Sequence, residues 1–149
     1  MLISSSQRAI RVPRKKLAAL ATFIAQAEGV RLSQVDLAVV GDSEIATVNK
    51  DWLSHRGPTD VISFDLSDGG GAGLSCQLVI CGEAAVREAA ARGLRPQHEL
   101  MLYVVHGLLH MMGYDDLAIR PAARMHARQD ELLKEFLAAK PRKTKRRRS

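Results

Sequence analysis

The chain has 149 residues, 46% of them hydrophobic and 26% charged, the size and composition of one soluble domain with a core of its own. Its net charge of +6 is uneven: the last ten residues carry seven Lys or Arg and no acid, and the rest holds 15 basic against 16 acidic residues, so the basic character is expected in a tail. No apolar run nears the roughly 18 residues that cross a bilayer and no signal segment opens the chain, so a membrane protein, a disulfide-stapled mini-protein and a disordered chain are excluded and the cytoplasm is the expected compartment.

After a short start, Pro13 opens an amphipathic helix to about Glu28, with Leu17, Leu20, Ile24 and Ala27 on one face. Val35 to Val40 reads as a strand stopped by Gly41. Asp42 or Ser43 can then cap a helix running to about Leu53, with Ile45 and Val48 on its apolar side. Ser54 to Thr59 is a turn, Val61 to Leu66 a strand, and Gln77 to Cys81 a second strand after the flexible connector Asp68 to Gly73. The glycines of that connector lack the Gly-Lys-Ser/Thr and the following helix that a phosphate cradle needs. Glu83 to Arg92 is a helix ended by Gly93. Pro96 opens the next, through Met112, which is apolar almost all round and so belongs in the middle of the protein. Gly113 stops it, and a last amphipathic helix covers Pro121 to Ala138. The order predicts an α+β fold, a small mixed sheet packed with helices, in one domain over residues 1–139, followed by a basic, disordered tail over 140–149. Cys76 and Cys81, five apart in a strand, point to opposite faces and should not pair.

The central helix contains His106 and His110, one turn apart and therefore on one face. Two imidazoles on a buried helix cost free energy unless something pairs with them, and neutral imidazole suits zinc. A His pair at this spacing also occurs in helices that bind nothing. Here the apolar surroundings, and the Gly113 turn followed by Asp115 and Asp116, favour a metal. Two histidines and one carboxylate make three protein ligands, with a fourth position for water, the pattern of a catalytic rather than a structural zinc. His126 on the last helix is a rival ligand, ranked well behind Asp116. The spacing is similar to the zincin motif H-E-x-x-H, so a zincin-like metal helix is expected. The sequence is His-Gly-Leu-Leu-His, however, and Gly107 cannot act as the general base of a zinc protease.

The run His-Gly-Leu-Leu-His-Met-Met-Gly-Tyr-Asp-Asp (106–116) resembles the signature H-G-x-L-H-L-x-G-Y-D-H of the YbeY family. Asn49 followed by Gly57-Pro-Thr-Asp-Val-Ile-Ser-Phe64 resembles that family's second block, N…P-T-D-V-L-S-F, and the order of elements agrees over roughly residues 35–137. The resemblance implies a zinc-dependent, single-strand-specific endoribonuclease that matures the 3′ end of 16S rRNA and takes part in ribosome quality control, with ribosomal RNA and ribosomal particles as partners. It carries metal ligation over to His106 and His110.

The chain departs from the pattern in three places. Asp116 stands where the family has its third histidine. A carboxylate can bind zinc at about 2.0–2.2 Å, but its charge weakens the metal as a Lewis acid. Asp115 is expected to orient a ligand or the turn. Leu53 replaces an arginine that many members carry after the aromatic, here Trp52, and Arg56 is the candidate to meet the negative charge of a phosphodiester transition state in its stead. Cys76-Gln77 replaces Gly-Asp, with no role assigned. Thr59 and Asp60 read as turn-stabilising, Trp52 as core, and His98 and Glu99 as surface residues. In the tail, Lys140, Arg142, Lys143, Lys145, Arg146, Arg147 and Arg148 are expected to touch RNA phosphates. Two other functions compete with the nuclease: a non-catalytic, zinc-containing ribosome assembly factor, and a metal-dependent hydrolase of another substrate.

Overall fold

A computed structural model describes residues 1–50, 60–67, 73–114 and 119–139. The described elements are, in chain order, β1 (Leu2–Ser5), α1 (Arg14–Glu28), β2 (Leu32–Val40), α2 (Asp42–Val48), β3 (Val61–Asp65), β4 (Leu74–Cys81), α3 (Gly82–Arg92), α4 (Pro96–Met111) and α5 (Ile119–Ala138). The four strands form one sheet in the order β1-β2-β4-β3. β1, β2 and β4 run parallel and β3 pairs antiparallel with β4, for example Ile62 opposite Val79, so the sheet is small and mixed as expected.

Strand alternation splits the core between the two faces of the sheet. Val35, Leu37 and Val39 of β2 and Cys76, Leu78 and Ile80 of β4 join the larger core with α1, α4 and α5. Val40, Ile62, Val79 and Cys81 turn the other way, into a smaller cluster with Ile45 of α2 and Ala84 of α3. The two cysteines therefore lie on opposite sides of β4, buried and free. Burial pushes both thiols up to about 11, so neither is a nucleophile at neutral pH.

Several boundaries differ from the sequence reading. β1 fell in what read as a short start. It is an edge strand of four residues with Leu2 largely exposed, and its ladder to Asp36–Val39 is invisible to local pattern. β2 and β4 begin three residues earlier than expected, because Leu32 and Leu74 are already paired although polar residues follow each. Along α1 the buried stripe is Leu17, Leu20, Ala21, Ile24 and Ala25, and Ala27 is exposed. Asp42 does not cap α2 but opens it. Its own N–H donates to Glu83 Oε1 (2.7 Å), and its carboxylate takes two hydrogen bonds from Arg87, which hold it below the usual carboxylate range. Gly93 and Gly113 end α3 and α4 in positive-φ turns, as expected. The turn expected at 54–59, most of the connector at 68–73 and the tail at 140–149 lie outside the described residues. No helix among the described residues is long and apolar enough to cross a membrane.

One close approach sets the position of α4. A Cβ on Gly107 would come within 2.9 Å of Leu78 Cδ2 and 3.2 Å of Ser63 Oγ. Glycine at 107 lets the helix backbone lie directly on β3 and β4.

Candidate metal and RNA site

Helix α4 is buried along most of its length, with Leu100, Val104, Val105, Leu108 and Leu109 inaccessible to solvent. The histidine stripe differs from that expectation. His106 is partly buried and His110, in the last turn, is exposed. The apolar neighbours thus do not bury both rings. They anchor three sides of the helix while the fourth, carrying the histidines, opens toward α5 and solvent.

α5 supplies what faces that stripe. Met125, Leu132 and Leu133 fix its apolar side in the larger core. Between them Gln129 Oε1, which can only accept, lies 3.1 Å from His106 Nδ1. With Gln129 Oε1 as acceptor, Nδ1 donates, and in the neutral ring this leaves the lone pair on Nε2, the tautomer of a metal-ligating histidine oriented by an outer partner. His126, one turn before Gln129, places its exposed ring 6.4 Å from that of His106, centroid to centroid. The rival ligand of the sequence reading is thus a neighbour of His106. Among the described residues no group of three His, Cys, Asp or Glu side chains is arranged to hold a metal ion. Asp115, Asp116, Arg56, Leu53, Trp52 and the tail cations Lys140 to Arg148 lie outside the described residues.

The chain leaves α4 along a fixed path. Gly113, at φ 106°, and backbone bonds from Gly113 and Tyr114 back to His110 and Leu109 turn it sharply. Tyr114 Oη then donates to Glu28 Oε1 (2.9 Å), at the end of α1, while Arg128 Nε donates to Glu28 Oε2 (2.6 Å) and Nη1 to Glu131 (2.6 Å). Burial and the Glu28 carboxylate both raise the Tyr114 phenol, which stays a neutral donor. This latch joins α1, the exit of α4 and α5 immediately before Asp115 and Asp116. Sequence reasoning missed both Gln129 and the latch, since their partners are 23 to 100 residues away and carry no local signal.

The first half of α4 differs from expectation too. Glu99 is not a surface residue: its side chain is 1% exposed and takes a hydrogen bond from Arg92 Nη1 (2.9 Å). Burial raises its carboxyl despite Arg92. Asp60, just before β3, is likewise raised by burial. Its backbone carbonyl accepts from the Cys81 N–H (3.0 Å), which extends the β3–β4 ladder by one bond, and the turn it was expected to stabilise lies outside the described residues. Thr59 lies outside the described residues.

The family model for endoribonuclease YbeY matches residues 2–137, taking in β1 and α1 as well as the two motif blocks. Proteins named Endoribonuclease YbeY from Mycobacterium sp. (strain KMS) and Mycobacterium tuberculosis (strain ATCC 25618 / H37Rv) are each 32% identical over 145 residues, covering 90% of this chain and 82% of theirs. The solution structure of TM1509 from Thermotoga maritima superposes with a TM-score of 0.63, covering 97% of this chain and 99% of that one. At 22% identity it speaks for the fold alone. By the extent of the family match and by the identity to these relatives, the chain belongs to the endoribonuclease YbeY family.

Proposed function

We propose that the protein is a metal-dependent endoribonuclease acting on single-stranded ribosomal RNA in the cytoplasm, in maturation of the 16S 3′ end and in ribosome quality control. The observation that carries this reading is the histidine stripe of α4: His106 and His110 one turn apart at the open end of an otherwise buried helix, with His106 Nδ1 tied to Gln129. The donor chemistry fits zinc, with His106, His110 and Asp116 as ligands and Asp115 orienting them.

Bound there, zinc would supply a Lewis acid that lowers the pKa of water and polarises a phosphoryl oxygen. The chain's own residues do the positioning. Gln129 fixes the His106 tautomer, Gly107 seats the helix on the sheet, and the Glu28–Tyr114–Arg128 latch sets where the returning chain enters the site. Arg56 meets the charge that gathers on the phosphoryl oxygens, and the tail cations from Lys140 to Arg148 hold the RNA backbone without reading its sequence.

Elemental analysis and cleavage of single-stranded RNA test the reading on the wild type and on His110→Ala, Asp116→Ala and His126→Ala. The expected result is about one zinc per chain, lost with cleavage in the first two variants and kept in the third. Cleavage retained by metal-free His110→Ala overturns the mechanism. Zinc retained by a wild type that binds ribosomal particles and turns over no RNA supports the assembly-factor reading instead.

A further inference from the structure

The charge of this chain lies at both ends, with an acidic body between them. Residues 1–27 contain Arg8, Arg11, Arg14, Lys15 and Lys16 and not one Asp or Glu. Residues 28–139 hold ten Lys or Arg against sixteen Asp or Glu, a balance of −6, and the tail adds seven cations. The near-neutral remainder left by setting the tail aside is thus a positive segment cancelled on paper by a negative one, and the basic character is not confined to the tail. A body of charge −6 repels a polyanion, so RNA that reaches the histidine stripe must be held by cations elsewhere.

The fold gathers the N-terminal cations on one rim. All five are exposed, and none has a carboxylate partner among the described residues. Arg14 Nη1 donates to the carbonyl of Ile3, pinning the start of α1 to β1. Beside it opens a cleft of about 610 Å³, bounded by Ser5, Pro13 and the cations Arg11, Arg14, Lys15 and Lys16. Three of these cations fall in the first turn of α1, which holds no acid, where the helix dipole repels them. They cost the free protein stability that a bound anion would restore.

The rim lies at the first turn of α4, and the histidines lie in its last two turns. Gln97 Nε2 reaches the Arg11 carbonyl (3.5 Å) at the start of α4, and Tyr114 reaches Glu28 at its end, so α1 and α4 run the same way. At 1.5 Å per residue Gln97 lies about 14 Å along the helix axis from His106 and about 20 Å from His110, and the nine residues between Gln97 and His106 put the two on opposite sides of α4, so one strand that touches both rim and stripe passes round the helix over several nucleotides.

We propose that this rim is a second phosphate-binding surface, which holds a single-stranded RNA by its backbone while the same strand lies across the histidine stripe. The proposal rests on the ribonuclease reading. It is tested on the full chain by measuring affinity for a phosphorothioate single strand of about 16 nucleotides and one of about 4 over a range of salt. Arg11→Gln, Lys15→Gln and Lys16→Gln combined should flatten the plot of log affinity against log salt by about 2 on the longer strand, with a smaller loss on the shorter. The charge-conserving set Arg11→Lys, Lys15→Arg and Lys16→Arg should keep the wild-type slope. An unchanged slope in a variant whose wild type binds and cleaves RNA overturns the rim and leaves the ribonuclease standing. A wild type that neither binds nor cleaves RNA overturns both. Loss of binding to vesicles containing phosphatidylserine, with RNA affinity intact, overturns the proposal in favour of a membrane surface.

Discussion

The two ends of α4 are built for different purposes. At its first turns the helix is enclosed: Glu99 is sealed against Arg92, Leu100 and Val104 are inaccessible, and α3 lies alongside. At its last turns one stripe is left open, with His106 held from α5 through Gln129 and His110 at the surface. Polar groups appear at both ends, but the buried carboxylate of Glu99 is matched to a cation of the chain itself, whereas the histidines face where an external partner can arrive. The difference shows that polarity on an apolar helix does not by itself mark a site. What marks one here is polarity on the side that the packing leaves open.

The sharpest way to break this contrast is to remove the open end's chemistry. Losing an outer partner of a metal ligand typically costs 10–100-fold. His110→Ala removes a proposed ligand outright and should cost more than about 100-fold in RNA cleavage, while circular dichroism and the melting temperature, compared between the metal-free proteins so that loss of zinc does not enter, should change little, because the side chain is exposed. A large loss of stability instead would show that His110 is part of the packing.

Gly107→Ala probes the seat beneath both ends. The new methyl would press on Leu78 and Ser63, and overpacking of this kind costs about 1–3 kcal/mol. A urea melt should show it, and zinc content should fall with it if the helix lifts from the sheet.

Gln129→Ala separates position from packing at the open end. It leaves the His106 tautomer unfixed and should weaken zinc about 10-fold in a competition with a chelator. Stability should change by no more than about 1 kcal/mol, the usual worth of one hydrogen bond. Gln129→Glu should restore most of the affinity, since a carboxylate also accepts from Nδ1.

Local signals made much of this legible. The i, i+4 histidines, the glycines at 93 and 113 and the apolar length of α4 all act over a few residues, and the helices and the strand direction of the cysteines followed from them. What was hidden depended on distance. β1 and the first residues of β2 and β4 are strands because partners more than thirty residues away hydrogen-bond to them. The openness of the histidine stripe depends on which side of α4 meets α1, the sheet and α5, and neighbouring hydrophobicity reports only that most of the helix is covered. The burial of Glu99 was missed because its partner, Arg92, belongs to another helix. The N-terminal cations escaped because subtracting the tail gives a sum, and a sum erases segregation.

The smallest effect concerns the closed end, and its sign is the informative part. Burial raises the Glu99 carboxyl above its ordinary value, against the pull of Arg92. An acid raised in the folded state contributes stability that is full below its unfolded value and fades as pH rises through the folded one. The wild type should therefore lose part of its stability as pH climbs above the ordinary Glu range, near about 4.3. Glu99→Gln cannot titrate and omits that loss, while Asp60, raised in the same direction, is present in both proteins and enters the difference only through its repulsion of the Glu99 charge. Urea melts across this range should show the stability of Glu99→Gln, relative to wild type, improving as pH rises. The opposite trend would mean that Arg92 outweighs desolvation, making the closed end an ion pair that holds the fold rather than a charge the fold tolerates.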